Sequence, residues 1–296
     1  MVKSMRLRTL PLSLAGVILG ILLAVSDYKV SLGTAMLIML TTVCLQILSN
    51  LSNELGDVIH GTDTEERLGP QYGLNSGGLT IGEMKIMIGT FVGLCVLFGL
   101  LMIKSSYGTI FSLDGICLML LGGAAIMGAM KYTLGKNPYG YNAKGDIFVF
   151  IFFGIVSVMG AYFVASHTLS WWVALPACAI GCFSVGVLNV NNIRDMKTDA
   201  ENRVTVAIKL GGHNARIYQT VLIVLGWILM IAMCMVRFFD PWHYIFIVTL
   251  PLFAMHIRGV WKLDGKALDK MLPLLVMSTF ALALLTGFGF VKFLLF

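Results

Sequence analysis

Nine long apolar stretches, near positions 9–26, 32–53, 84–103, 113–135, 146–166, 171–192, 215–236, 241–257 and 271–294, run almost the whole length of this 296-residue chain. A helix of about 20 apolar residues crosses a bilayer, and lipid tolerates only helices or closed barrels, because every backbone polar group must be satisfied within the protein. The alternating pattern of barrel strands is absent. The sequence therefore predicts an all-α, polytopic membrane protein of about nine transmembrane helices. Composition agrees: 58% of residues are hydrophobic and 12% charged, with a mean hydropathy of +0.88, too few charges to coat a soluble globule. Lys3, Arg6 and Arg8 ahead of Leu10–Val25 resemble a secretory signal, but another span follows in place of a cleavage site, so a retained first helix is expected.

Charge placement orients the bundle. Of 21 Lys and Arg residues, 17 fall in connections on the N-terminal side, leaving only Lys29, Lys104, Arg237 and Lys292 opposite. The positive-inside rule then puts the N-terminus in the cytoplasm and the C-terminus outside, as expected of a multi-pass protein of the cytoplasmic (inner) membrane. The basic residues never form a dense run, which argues against nucleic-acid binding. Twelve of 15 acids share the cytoplasmic side, six of them between Glu54 and Glu83 and three between Asp195 and Glu201.

These two acidic groups lie where spans 2 and 6 leave the membrane. In QILSNLSNELGDVIHGTDTEERLGP, residues 46–70, Asn53 and Asp57 are four apart and share a helical face, and Asp63 can return from a Gly-containing turn. In LNVNNIRDMKTDAENR, residues 188–203, Asn191, Asp195 and Asp199 repeat at i, i+4 and i+8. The common offset of 138 residues between the two Asn/Asp pairs hints at an internal duplication. Clustered carboxylates repel unless a cation neutralises them, and hard oxygen ligands of this kind suit Mg²⁺, which retains waters and shares phosphate oxygens of a substrate such as a diphosphate. Any one acid alone is more simply a solvated helix end; both sets together at a bilayer surface are not, since charge near hydrocarbon costs about 2.5–3.5 kcal/mol.

The connection KYTLGKNPYGYNAKGD, residues 131–146, brings Tyr132, Lys136, Tyr139, Tyr141 and Lys144 to the same surface. Lys136 can neutralise charge on a leaving diphosphate, although Tyr and Lys also anchor helices at interfaces; Asp146 reads as an N-cap of span 5. The six cysteines lie in apolar stretches and the five histidines lack metal-ligand spacing. A cation-coupled transporter is the rival reading, but its carboxylates would be expected near the bilayer midplane.

At these residues the chain resembles the intramembrane aromatic prenyltransferase superfamily of 4-hydroxybenzoate polyprenyltransferase. That family has two Asp-rich motifs at the cytoplasmic ends of its second and sixth helices and a Tyr-x-x-x-Lys motif after the fourth. Asn53, Asp57 and Asp63 match the first, Asn191, Asp195 and Asp199 the second, and Tyr132 with Lys136 the third. LQILSNLSNELGD, NPYGYNAKGDIFVFIFFG, LNVNNIRDMKTDAENR and RLRTLP look like the menaquinone branch of the family, which acts on 1,4-dihydroxy-2-naphthoate. Glu54 stands where Asp is usual, Asn191 leads the second motif in place of Asp, and Asp63 follows Asp57 by six residues, a spacing that the menaquinone branch shares.

The resemblance implies one transmembrane domain over residues 1–296, with helices around a central substrate cavity. It implies Mg²⁺-dependent transfer of a polyprenyl group from polyprenyl diphosphate to 1,4-dihydroxy-2-naphthoate, with decarboxylation and release of diphosphate; another aromatic acceptor such as 4-hydroxybenzoate is the alternative. The implied metal set is Asn53, Asp57, Asp63, Asn191, Asp195 and Asp199, with Asp57, Asp195, Tyr132 and Lys136 catalytic. Lys136 and Arg67 are expected to bind diphosphate, and Arg6, Asn50 and Tyr139 to bind substrate.

Overall fold

A computed structural model describes residues 2–62, 72–200, 202–237 and 240–291. Among the described residues nine helices are long and apolar enough to cross a membrane: α1 (Leu7–Asp27), α2 (Leu32–Ile59), α3 (Ile81–Tyr107), α4 (Leu113–Lys131), α5 (Gly145–Ser166), α6 (Trp171–Arg194), α7 (Val206–Arg237), α8 (Pro241–Lys262) and α9 (Gly265–Val291). The protein is thus a multi-pass, all-α membrane protein.

Local chemistry sets the helix ends. Ser31 and Ser112 cap α2 and α4 through their side chains, and Thr80 with Glu83 forms a capping box at the start of α3. Gly108, with φ of 72°, closes α3 in the left-handed conformation that glycine adopts without strain. Gly211, at φ 75° and ψ 159°, interrupts α7 near its N-terminal start. Three sequence expectations need correcting. α4 ends at Lys131, short of the expected 113–135 stretch, and Gly135 turns the chain at φ 103°, so Tyr132 and Lys136 lie beyond the helix. Lys144, not Asp146, is the N-cap of α5; Asp146 lies in its first turn and accepts a 3.2 Å hydrogen bond from the Tyr218 hydroxyl. The helix of α6 stops at Arg194 and resumes over Met196–Asp199, so Asp195 sits at a bend in what reads as one stripe.

The bundle has two flanks. α2, α3 and α4 pack on one another, α6 packs on α7, α5 and α9, and α1 joins the flanks by packing on α2, α5 and α9. Glycines let helix backbones approach closely: a Cβ on Gly16 or Gly20 would strike Ser157 or the Val158 carbonyl across the α1–α5 crossing, and one on Gly154 would meet Gly181 Cα at 2.7 Å. Phe150–Gly160, the middle of α5, is wound as a π-helix, a form often found at functional sites. Between this wide turn, α2 and α4 lies an elongated, largely apolar cavity of about 350 Å³.

Candidate active site

The last turn of α2 and the connections after α4 and α6 meet at one end of the cavity. Two backbone hydrogen bonds, Ala143 N–H to Val204 O at 2.8 Å and Val204 N–H to Tyr141 O at 2.9 Å, stitch those connections together. This pairing brings Tyr141 and Arg203 over Asp57. The Tyr141 hydroxyl donates to Asp57 Oδ1 at 2.7 Å, and Thr62 Oγ1 donates to the same oxygen at 3.2 Å. Arg203 Nη2 donates to Asp199 Oδ1 at 2.6 Å, while its Nη1 is 3.9 Å from Asp57 Oδ1. One guanidinium therefore spans the two acidic motifs. Both acids are buried, and the Arg203 side chain is 11% exposed. Burial alone would lower the Arg203 pKa, but the carboxylates of Asp199 and Asp57 outweigh it and raise it, so this cation is permanent. Burial, reinforced by the Asp57 charge, raises the Tyr141 phenol and keeps it a hydrogen-bond donor.

Asp195 has a different neighbour. Arg194 donates to both of its oxygens, Nε to Oδ1 at 2.8 Å and Nη2 to Oδ2 at 2.6 Å, and also reaches Asn191 Oδ1 at 2.8 Å and Asp269 Oδ1 at 2.6 Å. The second motif is thus cross-braced to the start of α9 by a side chain that is 1% exposed. Glu54 Oε1 accepts the Leu74 N–H at 2.7 Å, which ties α2 to the segment returning to α3.

The other expected residues divide between cavity and surface. Asn53, Asn50, Tyr132 and Tyr139 line the cavity head. Asn53 Oδ1 accepts from Thr133 Oγ1 at 3.3 Å. The Tyr139 hydroxyl donates to Gly128 O at 2.6 Å, leaving its ring, stacked on Phe148, as the cavity wall. Burial pushes the Tyr132 phenol up to about 12. Asn50 Nδ2 donates to Met5 O at 2.9 Å and Thr9 Oγ1 at 3.0 Å, clasping the N-terminal segment to α2. In that segment Arg6 adopts φ 48°, with its guanidinium 3.9 Å above the Tyr72 ring and with Nε and Nη2 buried without a hydrogen-bond partner among the described residues. Lys136 is exposed beyond the Gly135 turn. Asp63 and Arg67 lie outside the described residues.

Among the described residues no three His, Cys, Asp or Glu side chains form a group that could hold a metal ion. Asp57 and Asp199 nevertheless lie within the reach of one guanidinium, with the Asn53 amide one turn above Asp57. That oxygen-rich, incomplete set fits Mg²⁺ that takes its remaining ligands from water and phosphate. The sequence pattern does not single out Arg194, Arg203 or Thr62; only Arg203 carries a usable signal, lying four residues after Asp199 in the favourable acid-to-base order for a helix.

From Asn53 to Ile38 the cavity follows α2 for about 22 Å at ~1.5 Å per residue. Ile38, Met102, Leu118 and Val164 close the far end. The arrangement joins a polar, acid-bearing head at the membrane surface to a long greasy slot, which suits a substrate with a charged head and an apolar tail.

The profile of the UbiA prenyltransferase family matches residues 13–285. The chain is 37% identical over 291 residues to a 1,4-dihydroxy-2-naphthoate octaprenyltransferase of Escherichia coli strain K12, covering 98% of this chain and 92% of the relative. It is 33% identical to the protein of the same name from Mycobacterium tuberculosis, covering 93% and 89% of the two chains. Its fold is similar to an apo UbiA homolog from Aeropyrum pernix K1, with a TM-score of 0.71 at 16% identity over 96% of this chain and 98% of the other. A UbiA homolog from Archaeoglobus fulgidus bound to DMAPP and Mg²⁺ aligns with a TM-score of 0.64 at 14% identity over 98% and 99%.

Proposed function

The chain belongs to the UbiA prenyltransferase family, and from that premise we infer that it is a membrane enzyme transferring a polyprenyl group from its diphosphate to 1,4-dihydroxy-2-naphthoate. The carboxyl group leaves as CO₂, the allylic C–O bond breaks with release of diphosphate, and a new C–C bond joins prenyl chain and ring to give demethylmenaquinol. The observation that carries this reading is the pairing of the Asp57–Arg203–Asp199 head with the apolar slot beneath it. At about 0.8 kcal/mol per buried CH₂ a long prenyl tail stays in the slot or in lipid, so its diphosphate must be met at the membrane surface.

Asp57, Asp199 and Asn53, with Asp195, Asn191 and Asp63 of the same motifs, would hold Mg²⁺ against the diphosphate. When bound, the ion supplies charge neutralisation for the departing phosphate oxygens. Arg203, already between the acids, is placed to turn one N–H toward the diphosphate, and Lys136 and Arg67 on their connections are the further cations proposed for it. Tyr141 and Thr62 hold the Asp57 carboxylate in one orientation. Tyr132, Tyr139 and Phe148 form aromatic walls where the electron-rich naphthoate ring meets the allylic carbon, and they keep water from trapping a cation-like transition state as the alcohol. Arg6, whose Nε and Nη2 have no hydrogen-bond partner among the described residues, is the proposed partner of the naphthoate carboxylate. The excess of basic residues supports a cytoplasmic orientation for this head in the inner membrane.

The test is turnover in vesicles with both aromatic acids offered together. Prenylated naphthoate that disappears with EDTA and in Asp57→Asn is expected. Prenylation of 4-hydroxybenzoate alone would move the chain to another acceptor, and Mg²⁺-independent turnover would remove the metal role.

A further inference from the structure

Away from the cavity, a chain of buried polar side chains crosses four helices. His256 of α8 meets Met271 O of α9 through Nδ1 at 3.0 Å, and its Nε2 lies 2.9 Å from Gln219 Nε2 of α7. Asn189 Nδ2 of α6 donates to Gln219 Oε1 and to Ala215 O, each at 3.0 Å. Asn189 is 1% exposed, Gln219 and His256 are fully buried, and none of the three lines the cavity. The carbonyls at the two ends fix every donor. Ala215 O only accepts, so the Asn189 amide nitrogen faces it and turns its second N–H to the Gln219 oxygen; the Gln219 nitrogen then donates to His256 Nε2, and His256 Nδ1 carries the proton that goes to Met271 O. Gly186, three residues before Asn189 on α6, makes room for this path: a Cβ there would come within 3.0 Å of Gln219 Nε2.

Cohesion alone does not call for these polar groups, because replacing both partners of a buried hydrogen bond by apolar groups of the same shape is nearly neutral. What the chain adds is direction, since a buried polar network specifies one packing where apolar contacts tolerate several. Direction matters on α6. Asn191 lies about 200° round that helix from Asn189, so tying Asn189 to α7 turns Asn191 to the opposite face; Leu188, about 100° away, lines the cavity. Five residues after Asn189, Arg194 ties the same helix to Asp269 at 2.6 Å, two residues before Met271. The two ties and the His256 link close a frame around the C-terminal end of α6. We propose that Asn189, Gln219 and His256 are positioning residues for the second acidic motif: they fix the rotation of α6 and thereby aim Asn191 and Asp195 at the metal and diphosphate. This rests on the prenyl-transfer reading above.

The experiment compares full-length wild type in detergent with Gln219→Met, His256→Leu, His256→Gln and Met230→Ala, the last a truncation of a fully buried side chain about three turns further along α7. Two readouts are taken: the Mg²⁺ concentration for half-maximal prenylation of naphthoate, and the Mg²⁺ concentration for half the rise in unfolding temperature with inorganic diphosphate present. Gln219→Met and His256→Leu should raise both concentrations about tenfold, the scale of losing a partner that orients a metal ligand, with KM for naphthoate at its wild-type value. His256→Gln, which offers an amide oxygen where Nε2 stood, should recover most of the wild-type response. Met230→Ala should lower the unfolding temperature and leave both concentrations unchanged. A response that is unshifted in Gln219→Met and His256→Leu, or that shifts as far in Met230→Ala, would overturn the proposal. Asn189→Ala cuts the chain where it meets α6 and should show the same shift, so it decides the matter if Gln219→Met does not accumulate. If wild type prenylates no naphthoate, or does so without Mg²⁺, the functional reading fails and this proposal with it, a result distinct from an unshifted response in an active, Mg²⁺-dependent enzyme.

Discussion

Arg203 donates to Asp199 at 2.6 Å and stands 3.9 Å from Asp57, so a single buried cation bridges two acidic motifs that are far apart in sequence. Without it, two buried carboxylates would face each other across the cavity head. Breaking a buried pair by removing one partner costs about 3–5 kcal/mol. Arg203→Gln should therefore unfold at a markedly lower temperature than wild type in EDTA, and Mg²⁺ should restore part of the difference by neutralising the same acids. Thermal unfolding in detergent, with and without Mg²⁺, checks this. An unchanged midpoint in EDTA would show that Arg203 does not neutralise the acids.

Asp57 and Asp195 belong to matching motifs but have different neighbours, and their variants should differ. Asp57→Asn leaves the Tyr141 and Thr62 contacts a polar partner and should lower turnover about 100-fold, the scale of losing one preorganised electrostatic contact, with little change in stability. Asp195→Asn leaves the Arg194 guanidinium short of a carboxylate in a site where that side chain is 1% exposed. It should cost about 3 kcal/mol of stability whether or not Mg²⁺ is present, in addition to lost turnover. Comparing Mg²⁺ titrations and unfolding midpoints of the two variants separates these effects. Equal stability would remove the distinction.

The nine spans are legible in the sequence because lipid demands apolar length, and the acids at Asn53–Asp57 and Asn191–Asp199 stand out because charge beside hydrocarbon is costly. What the chain hides is pairing. Whether Arg194 or Arg203 meets a given acid depends on the path of the connections, and the Tyr141 bond to Asp57 depends on backbone pairing between Ala143 and Val204. The π-helical winding of Phe150–Gly160 is also invisible, because shifting hydrogen bonds from i+4 to i+5 leaves an apolar run apolar. The end of α4 at Lys131 is hidden for the same reason: Tyr132–Leu134 are apolar enough to continue a span, and only the Gly135 turn shows that they do not.

Tyr141→Phe isolates one hydrogen bond. The variant keeps the ring, which packs edge-on to His60, and deletes the 2.7 Å donation to Asp57. A hydrogen bond to a charged group is worth about 1.5–3 kcal/mol, so the loss in kcat/KM should be about ten- to a hundredfold if Asp57 must be held for catalysis. Steady-state kinetics against prenyl diphosphate reads it out. Wild-type kcat/KM would mean that Thr62 and Arg203 orient Asp57 without help.

Asn50 offers a test of what the N-terminal segment does. Its Nδ2 holds Met5 O and Thr9 Oγ1, and its Oδ1 accepts from Gln46 Nε2 at 3.2 Å. This clasp fixes the backbone on which Arg6 sits at φ 48°, a conformation that a non-glycine residue keeps only when its surroundings hold it there. If Arg6 receives the naphthoate carboxylate, Asn50→Ala should raise KM for naphthoate about tenfold, within the ~1–3 kcal/mol expected for a misplaced charged contact. KM for prenyl diphosphate should stay near wild type. Arg6→Ala should produce the same split, and the double variant should be no worse than Arg6→Ala alone, because the clasp acts only through that side chain. Additive losses in the double variant would give Asn50 a separate role at the cavity wall, and a rise confined to prenyl diphosphate KM would assign the segment to the donor instead.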